Sequence, residues 1–249
     1  MIADPWFYAV AIPAVLLMGI SKSGFGAGFG ALATPLMAMA VPVPQAAAIM
    51  LPVLAVIDLF GIVALARHAE RSLLKLLLPA GLAGTCIGWL LFGVLPAHRV
   101  AGVVGALTLL FLAVRLLRPP KADAPPPTRW KGAALATVSG FTSFVAHAGG
   151  PPIGFYVLPL RLAPLAFTGT MAVFFTAINL SKWGPYATLG LIDTRNMLTA
   201  LALLPVAPLG VWIGVRIVRM IPQALFYRLF HIGMALTGVK LLSDGLRGV

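Results

Sequence analysis

Long apolar stretches alternate with short polar or Pro-containing joints along the whole chain. Uninterrupted apolar runs lie at about 45–66, 73–95, 99–117, 164–190, 196–218 and 223–243. Two further regions are split. Residues 6–20 and 31–41 flank SKSGFGAGFG, Ser21 to Gly30, and residues 132–146 and 150–160 flank the polar, Gly-rich centre of TSFVAHAGGPP, Thr142 to Pro152. A helix needs about 20 apolar residues to cross the hydrocarbon of a bilayer, so the pattern predicts an all-α polytopic membrane protein. The split halves, at about 11–16 residues, are short for a full crossing. Each split pair therefore reads as either one discontinuous spanning helix or a re-entrant hairpin.

Composition agrees with the periodicity. The chain is 60% hydrophobic and 10% charged, against about 25% charged in soluble domains, which leaves too little polar surface to coat a water-soluble globule. The formal net charge of +12 raises the question of nucleic acid. Most Lys and Arg sit in the joints, however, where they orient a membrane protein by the positive-inside rule, and no nucleic-acid partner is expected. The N-terminus carries Asp4 with no basic n-region and no small-residue cleavage site, so it does not read as a signal peptide. Cys86, the single cysteine, excludes an internal disulfide and a cysteine-cluster metal site.

The chain reads as two related halves, 1–117 and 132–249, joined by a Pro-rich charged linker over 118–131. A shift of 126 residues pairs Leu78-Pro79 with Leu204-Pro205, Gly84 with Gly210, Ile87-Gly88 with Ile213-Gly214, and Pro96 with Pro222. A shift of 121 pairs Gly19 with Gly140, Gly28 with Gly149, and Asp58 with Asn179. Duplicated membrane repeats are a transporter pattern, with the site near the midplane at the repeat interface. A hairpin reading leaves three full crossings per repeat and makes the repeats inverted; a broken spanning helix leaves four and makes them parallel. With the linker on the cytoplasmic side, the inverted arrangement places twelve of the sixteen Lys and Arg other than Lys22 and Lys182 there, and the parallel one eleven. Charge does not separate the two, and the short half-segments favour inverted repeats.

Candidate chemistry gathers at the two breaks. Unwound backbone at membrane depth survives only where protein buries it or it lines a cavity, and half-helix N-termini facing such a cavity favour anions. Gly26, Gly28 and Gly30 in the first break, and Gly149 and Gly150 before Pro151 and Pro152 in the second, allow a ligand close to the backbone; close helix packing explains the same glycines. Lys22 with Ser21 and Ser23 lies beside the first break. Lys182 follows the second, where either a ligand role or snorkelling to the interface accounts for it. Asp58 is the only acidic residue deep in an apolar run, and its repeat partner is the neutral Asn179. Asp58 reads as counter-ion to Lys22, proton carrier or structural hydrogen-bond partner. His147 could donate to an anion or titrate near neutral pH, and Thr168, Thr170, Tyr156 and Tyr186 are further hydroxyl donors. The substrate-binding set is thus Ser21, Lys22, Ser23, Gly26, Gly28, Gly30, His147, Gly149, Gly150, Asn179 and Lys182. No metal or cofactor site is expected. Ser139, Ser143 and His147 fall at i, i+4, i+8 and could mimic a serine hydrolase, but nothing resembles a nucleophile elbow and the spacing equally suits a polar stripe along a cavity.

At these residues the chain resembles the TauE/SafE-like sulfite exporter family of membrane permeases. The resemblance runs through GISKSGFGAGFGALATPL (Gly19 to Leu36), AHAGGPPIGFYVLP (Ala146 to Pro159) and FTGTMAVFFTAINLSKWGPYATLG (Phe167 to Gly190). One departure is Val145, Ala146 and His147, where many relatives keep more glycine. The resemblance implies a multi-pass transporter of the bacterial cytoplasmic membrane that moves small sulfur-containing anions such as sulfite or organosulfonates, generally outward; some relatives are associated with other organic acids. A membrane-embedded scaffold or sensor that binds an anion without moving it is the rival reading. Oligomeric state stays open.

Overall fold

The computed structural model describes residues 1–25, 30–92, 94, 96–117 and 127–248. Gly26 and Gly28 therefore lie outside the described residues, as does most of the linker. Every extended element among the described residues is helical. Five helices there are long and apolar enough to cross a membrane, and six if one bent pair counts as a span.

The first helix, α1 (Pro5–Gly24), starts on an Asp4 cap whose carboxylate accepts from the Trp6 N–H at 2.9 Å. It does not stop at Ile20. It continues through Ser21, Lys22 and Ser23 and ends at Gly24, so at 20 residues it is about 30 Å long and nearly a full crossing. The expected interruption thus falls after Lys22, not before it. Lysine is a good helix former, and burial against an acidic partner removes the reason to end the helix at the charge. The return is short: one 3₁₀ turn at Gly30–Leu32 and α2 (Ala33–Met37). Gly30 sits beside the Met18 and Ser21 side chains, so the chain doubles back along α1.

The second split region behaves alike. Helix α6 (Arg129–Ala146) is followed by α7 (Gly150–Val157). Gly149 abuts Ser139 and Ser143, and Gly132 abuts Tyr156, so α7 returns along α6 as an antiparallel hairpin. In both hairpins the first arm is longer than the second.

The remaining helices are α3 (Val43–Leu65), α4 (Arg71–Leu90), α5 (Ala97–Leu117), α8 (Pro164–Ser181), α9 (Trp183–Thr188), α10 (Thr194–Leu203), α11 (Val206–Met220) and α12 (Gln223–Arg247). The run at 196–218 divides into α10 and α11, bent by 48° at Leu204-Pro205, because proline removes a backbone donor and crowds the preceding turn. Pro79 in α4 causes no such division.

Close packing relies on glycine, as in membrane bundles where small residues let backbones approach. Helix α1 crosses α11 at Gly19 and Gly210, and again at Gly24 and Gly214, so the two run parallel. Helix α4 crosses α6 where Gly84 meets Thr137 and Gly81 meets Gly140. Helix α5 meets α12 with Gly102 on Gly245 and Gly105 on Leu242, which makes that pair antiparallel. Helix α3 runs antiparallel to α8: Leu65 abuts Gly169 at one end, and Asp58 meets Asn179 nearer the centre. The α3–α8 contact brings the polar residues of both halves together.

Candidate functional site

Lys22 on α1 and Asp58 on α3 form a buried ion pair, with only 6% and 4% of each residue exposed. From there a continuous hydrogen-bond chain crosses to the second half. Asn179 on α8 donates its amide Nδ2 to Asp58 Oδ2 at 2.7 Å, and its Oδ1 accepts from Lys182 Nζ at 3.0 Å. Lys182 Nζ also donates to the Ser143 carbonyl (2.7 Å) and lies 2.8 Å from Ser143 Oγ and 3.0 Å from His147 Nδ1. The other imidazole nitrogen, Nε2, is 3.1 Å from the Ala47 carbonyl. A carbonyl can only accept, so Nε2 carries the proton and Nδ1 accepts from the lysine. Lys182 is 0% exposed, which overturns the snorkelling reading: its amine turns inward because its hydrogen-bond acceptors are there.

The second break is held by its own side chains. Ser139 Oγ donates to the Gly149 carbonyl at 2.7 Å, and Thr142 Oγ1 donates to the Ala148 carbonyl at 3.2 Å. His147 closes α6 with φ 52°, in the left-handed region where a helix-ending residue is usually glycine. The His147 N–H donates to Ser143 O at 3.0 Å, the bond of a left-handed helix end, and the Ala148 N–H donates to Thr142 O at 3.2 Å. The departure from glycine noted in the sequence thus falls on the residue with that backbone. Helix α7 then restarts at Gly150 with Pro151 and Pro152 in its first turn, where a missing N–H costs nothing.

Between the hairpins lies a cavity lined by Met18, Lys22, Gly30, Ala31, Leu54, Ser143, His147, Gly150, Phe175 and Asn179. It brings Lys22 and Gly30 from the first half opposite His147, Gly150 and Asn179 from the second. Lys22 Nζ also lies 5.8 Å from the centre of the Phe175 ring, within cation–π range. The cavity volume is about 20 Å³, room for one water-sized group and too small for a four-atom oxyanion. Lys182 stands behind Ser143, His147 and Asn179 and is not part of the lining.

Ser21 and Ser23 are buried beside Lys22, and Ser23 Oγ has no hydrogen-bond partner among the described residues. Gly149 is buried too, and a Cβ there would approach the Ser139 carbonyl to 2.7 Å. The remaining hydroxyl candidates stand apart from the lining. Thr170 Oγ1 accepts from the Glu70 N–H at 2.9 Å, which ties the α3–α4 turn to α8. Tyr156 packs on Gly132. Thr168 is buried with its hydroxyl unpartnered among the described residues. Tyr186 donates to the Phe144 carbonyl at 2.8 Å and braces the end of α6.

Sequence reasoning left out the apolar walls, Met18, Ala31, Leu54 and Phe175, and gave Ser143 no ligand role. No periodicity separates these walls from ordinary core. The serine–histidine stripe finds no hydrolase geometry: Ser139 is committed to Gly149, and Ser143 and both imidazole nitrogens are committed to Lys182 and Ala47. Among the described residues no cluster of three or more His, Cys, Asp or Glu could hold a metal ion.

The sequence model of the sulfite exporter TauE/SafE family matches residues 11–241. The chain belongs to this family. The match runs through both hairpins and the whole Lys22–Asp58–Asn179–Lys182 network, and it makes the protein a multi-pass membrane transporter of sulfite-related compounds. No curated protein and no solved structure matches the chain.

Proposed function

We propose that this TauE/SafE protein exports a small oxyanion, sulfite or an organosulfonate, across a bacterial cytoplasmic membrane by alternating access, without ATP. One observation carries the reading: a buried cavity lies between the two hairpins, with Lys22 on one wall, the His147–Gly150 segment on the other and Lys182 behind. The backbone N–H groups of Gly149 and Gly150, ahead of Pro151 and Pro152 which have none, with the Lys22 ammonium and the Asn179 amide would replace the hydration shell of the anion. A volume of about 20 Å³ is too small for the anion, so the walls must separate before substrate enters. In a cell that is negative inside, export of one negative charge gains about 2.3 kcal/mol per 100 mV.

The repeats are inverted in this proposal, and the helix directions support it. Under the 121- and 126-residue shifts, α3 corresponds to α8 and α5 to α12, and both pairs run antiparallel. Parallel repeats would set them parallel. The crossings correspond as well. A Cβ on Gly84 would meet the Thr137 carbonyl and one on Gly210 the Leu16 carbonyl; Gly84 and Gly210 are 126 apart, and Leu16 and Thr137 are 121 apart. The halves 1–117 and 132–249 then rock about the α3–α8 contact, and the linker over 118–131 is cytoplasmic.

The test is flux of sulfite and methanesulfonate in proteoliposomes under an imposed potential of either sign. Potential-dependent flux that Lys22→Ala abolishes while the protein stays folded is the expected result. Anion binding without flux would instead favour a membrane-embedded scaffold or sensor, and no binding of either anion would move the substrate to other organic acids.

A further inference from the structure

We propose that the site is built for a singly charged oxyanion and discriminates against doubly charged ones. This rests on the anion-site reading above and adds the charge of the substrate.

The chain has six acidic residues, and among the described ones only Asp58 belongs to the buried network. Two lysines share that network: Lys22, paired with Asp58, and Lys182. The rest of the network is neutral. Asn179 and Ser143 carry no charge, and His147 holds one proton on Nε2 because Nδ1 accepts from Lys182 while Ala47 O accepts from Nε2. Lys182 Nζ faces acceptors, namely the Ser143 carbonyl, Asn179 Oδ1 and His147 Nδ1, together with the Ser143 hydroxyl oxygen. Those acceptors match the three N–H bonds of an ammonium. The residues between Phe25 and Gly30, Gly26, Ala27, Gly28 and Phe29, have no ionisable side chains. Two positive charges and one negative leave the site at +1.

A net charge held away from water is costly until something compensates it. One negative charge on a ligand brings the site to neutrality. A second leaves the occluded complex at −1, uncompensated in the same low-dielectric setting. Asn179 is the hinge of this balance. It occupies the position equivalent to Asp58 in the second half, and a carboxylate there would make the empty site neutral and remove the attraction for any anion. Its amide also joins the two cations, donating to the carboxylate that holds Lys22 and accepting from Lys182. Sulfite, which exists near neutral pH in singly and doubly charged forms, would enter as hydrogen sulfite.

Methanesulfonate and sulfate separate charge from shape, since both are tetrahedral sulfur oxyanions of similar size carrying one and two negative charges. Purified protein in proteoliposomes is assayed for binding and flux of each. The wild type is expected to favour methanesulfonate by at least about tenfold. Asp58→Asn preserves the size of the side chain and raises the site to +2, so it should narrow that preference by about tenfold or reverse it. Binding of both anions with no preference in the wild type, or a preference that Asp58→Asn leaves unchanged in folded protein, overturns the charge assignment while leaving an anion site standing. Binding of neither anion by the wild type overturns the anion site itself, and the charge assignment with it. Should Asp58→Asn fail to fold, Asn179→Asp gives the opposite arm: it brings the site to zero, and undiminished binding of methanesulfonate there would overturn the proposal.

Discussion

Asn179 donates a 2.7 Å hydrogen bond to Asp58 across 121 positions of sequence. The same offset relates Gly19 to Gly140 and Gly28 to Gly149. Under the proposed repeat, each of the two residues thus meets its own counterpart. Contact between equivalent positions is what a two-fold relation produces at its axis, so the centre of the polar network coincides with the centre of the proposed repeat pair.

The Lys22–Asp58 pair is buried on both sides, and removing one partner leaves an uncompensated charge. Lys22→Met is expected to lower stability by about 3–5 kcal/mol. Adding Asp58→Asn to it should recover most of that loss, because the unpaired carboxylate is gone. Thermal unfolding in detergent micelles measures both, and a double variant no more stable than Lys22→Met would show that the pair is not the unit of stability here.

His147 is at φ 52°, a backbone that costs a side-chain-bearing residue about 1–2 kcal/mol and glycine nothing. In His147→Gly that backbone gain should offset only part of the lost hydrogen bonds to Lys182 and Ala47, so stability should fall by about 1–2 kcal/mol. Its bond to Lys182 is charge-assisted, worth about 1.5–3 kcal/mol, so flux should fall by about tenfold or more. Wild-type flux in this variant would make the imidazole a bystander.

A Cβ at Gly140 would lie 1.9 Å from the Gly81 carbonyl, whereas one at Gly184 would meet nothing within 4 Å. Gly140→Ala must push α4 and α6 apart and is expected to cost about 1–3 kcal/mol. Gly184→Ala should be neutral or gain up to about 1 kcal/mol from helix propensity. Melting temperatures of the two variants side by side decide whether glycine sets that crossing.

Tyr186→Phe removes the hydroxyl that holds the Phe144 carbonyl at 2.8 Å. The cost should be about 1–3 kcal/mol, since the carbonyl is left buried without its donor. Because this bond braces the end of α6 beside His147, faster amide hydrogen exchange over residues 142–149 should accompany the loss of stability. Unchanged exchange would confine the role of Tyr186 to packing.

The amino-acid sequence by itself determined the class of the molecule. Apolar runs of crossing length, two Gly-rich interruptions, a lysine beside the first and another in the run after the second are local features, and the physics of hydrocarbon acts on them locally: a backbone must be helical, and a charge must find a partner. The sequence also carried the offsets that join Asp58 to Asn179 and Gly84 to Gly210. It did not carry where α1 ends. Whether a helix runs through Ser21–Lys22–Ser23 depends on Asp58, 36 residues away, accepting the charge. Nor did it separate an inward Lys182 from a snorkelling one, because Ser143, Asn179 and His147 become its partners only when α6 and α8 pack. Local sequence can require that a buried charge be compensated; only the packing of distant helices decides by what, and with it the net charge that the cavity presents.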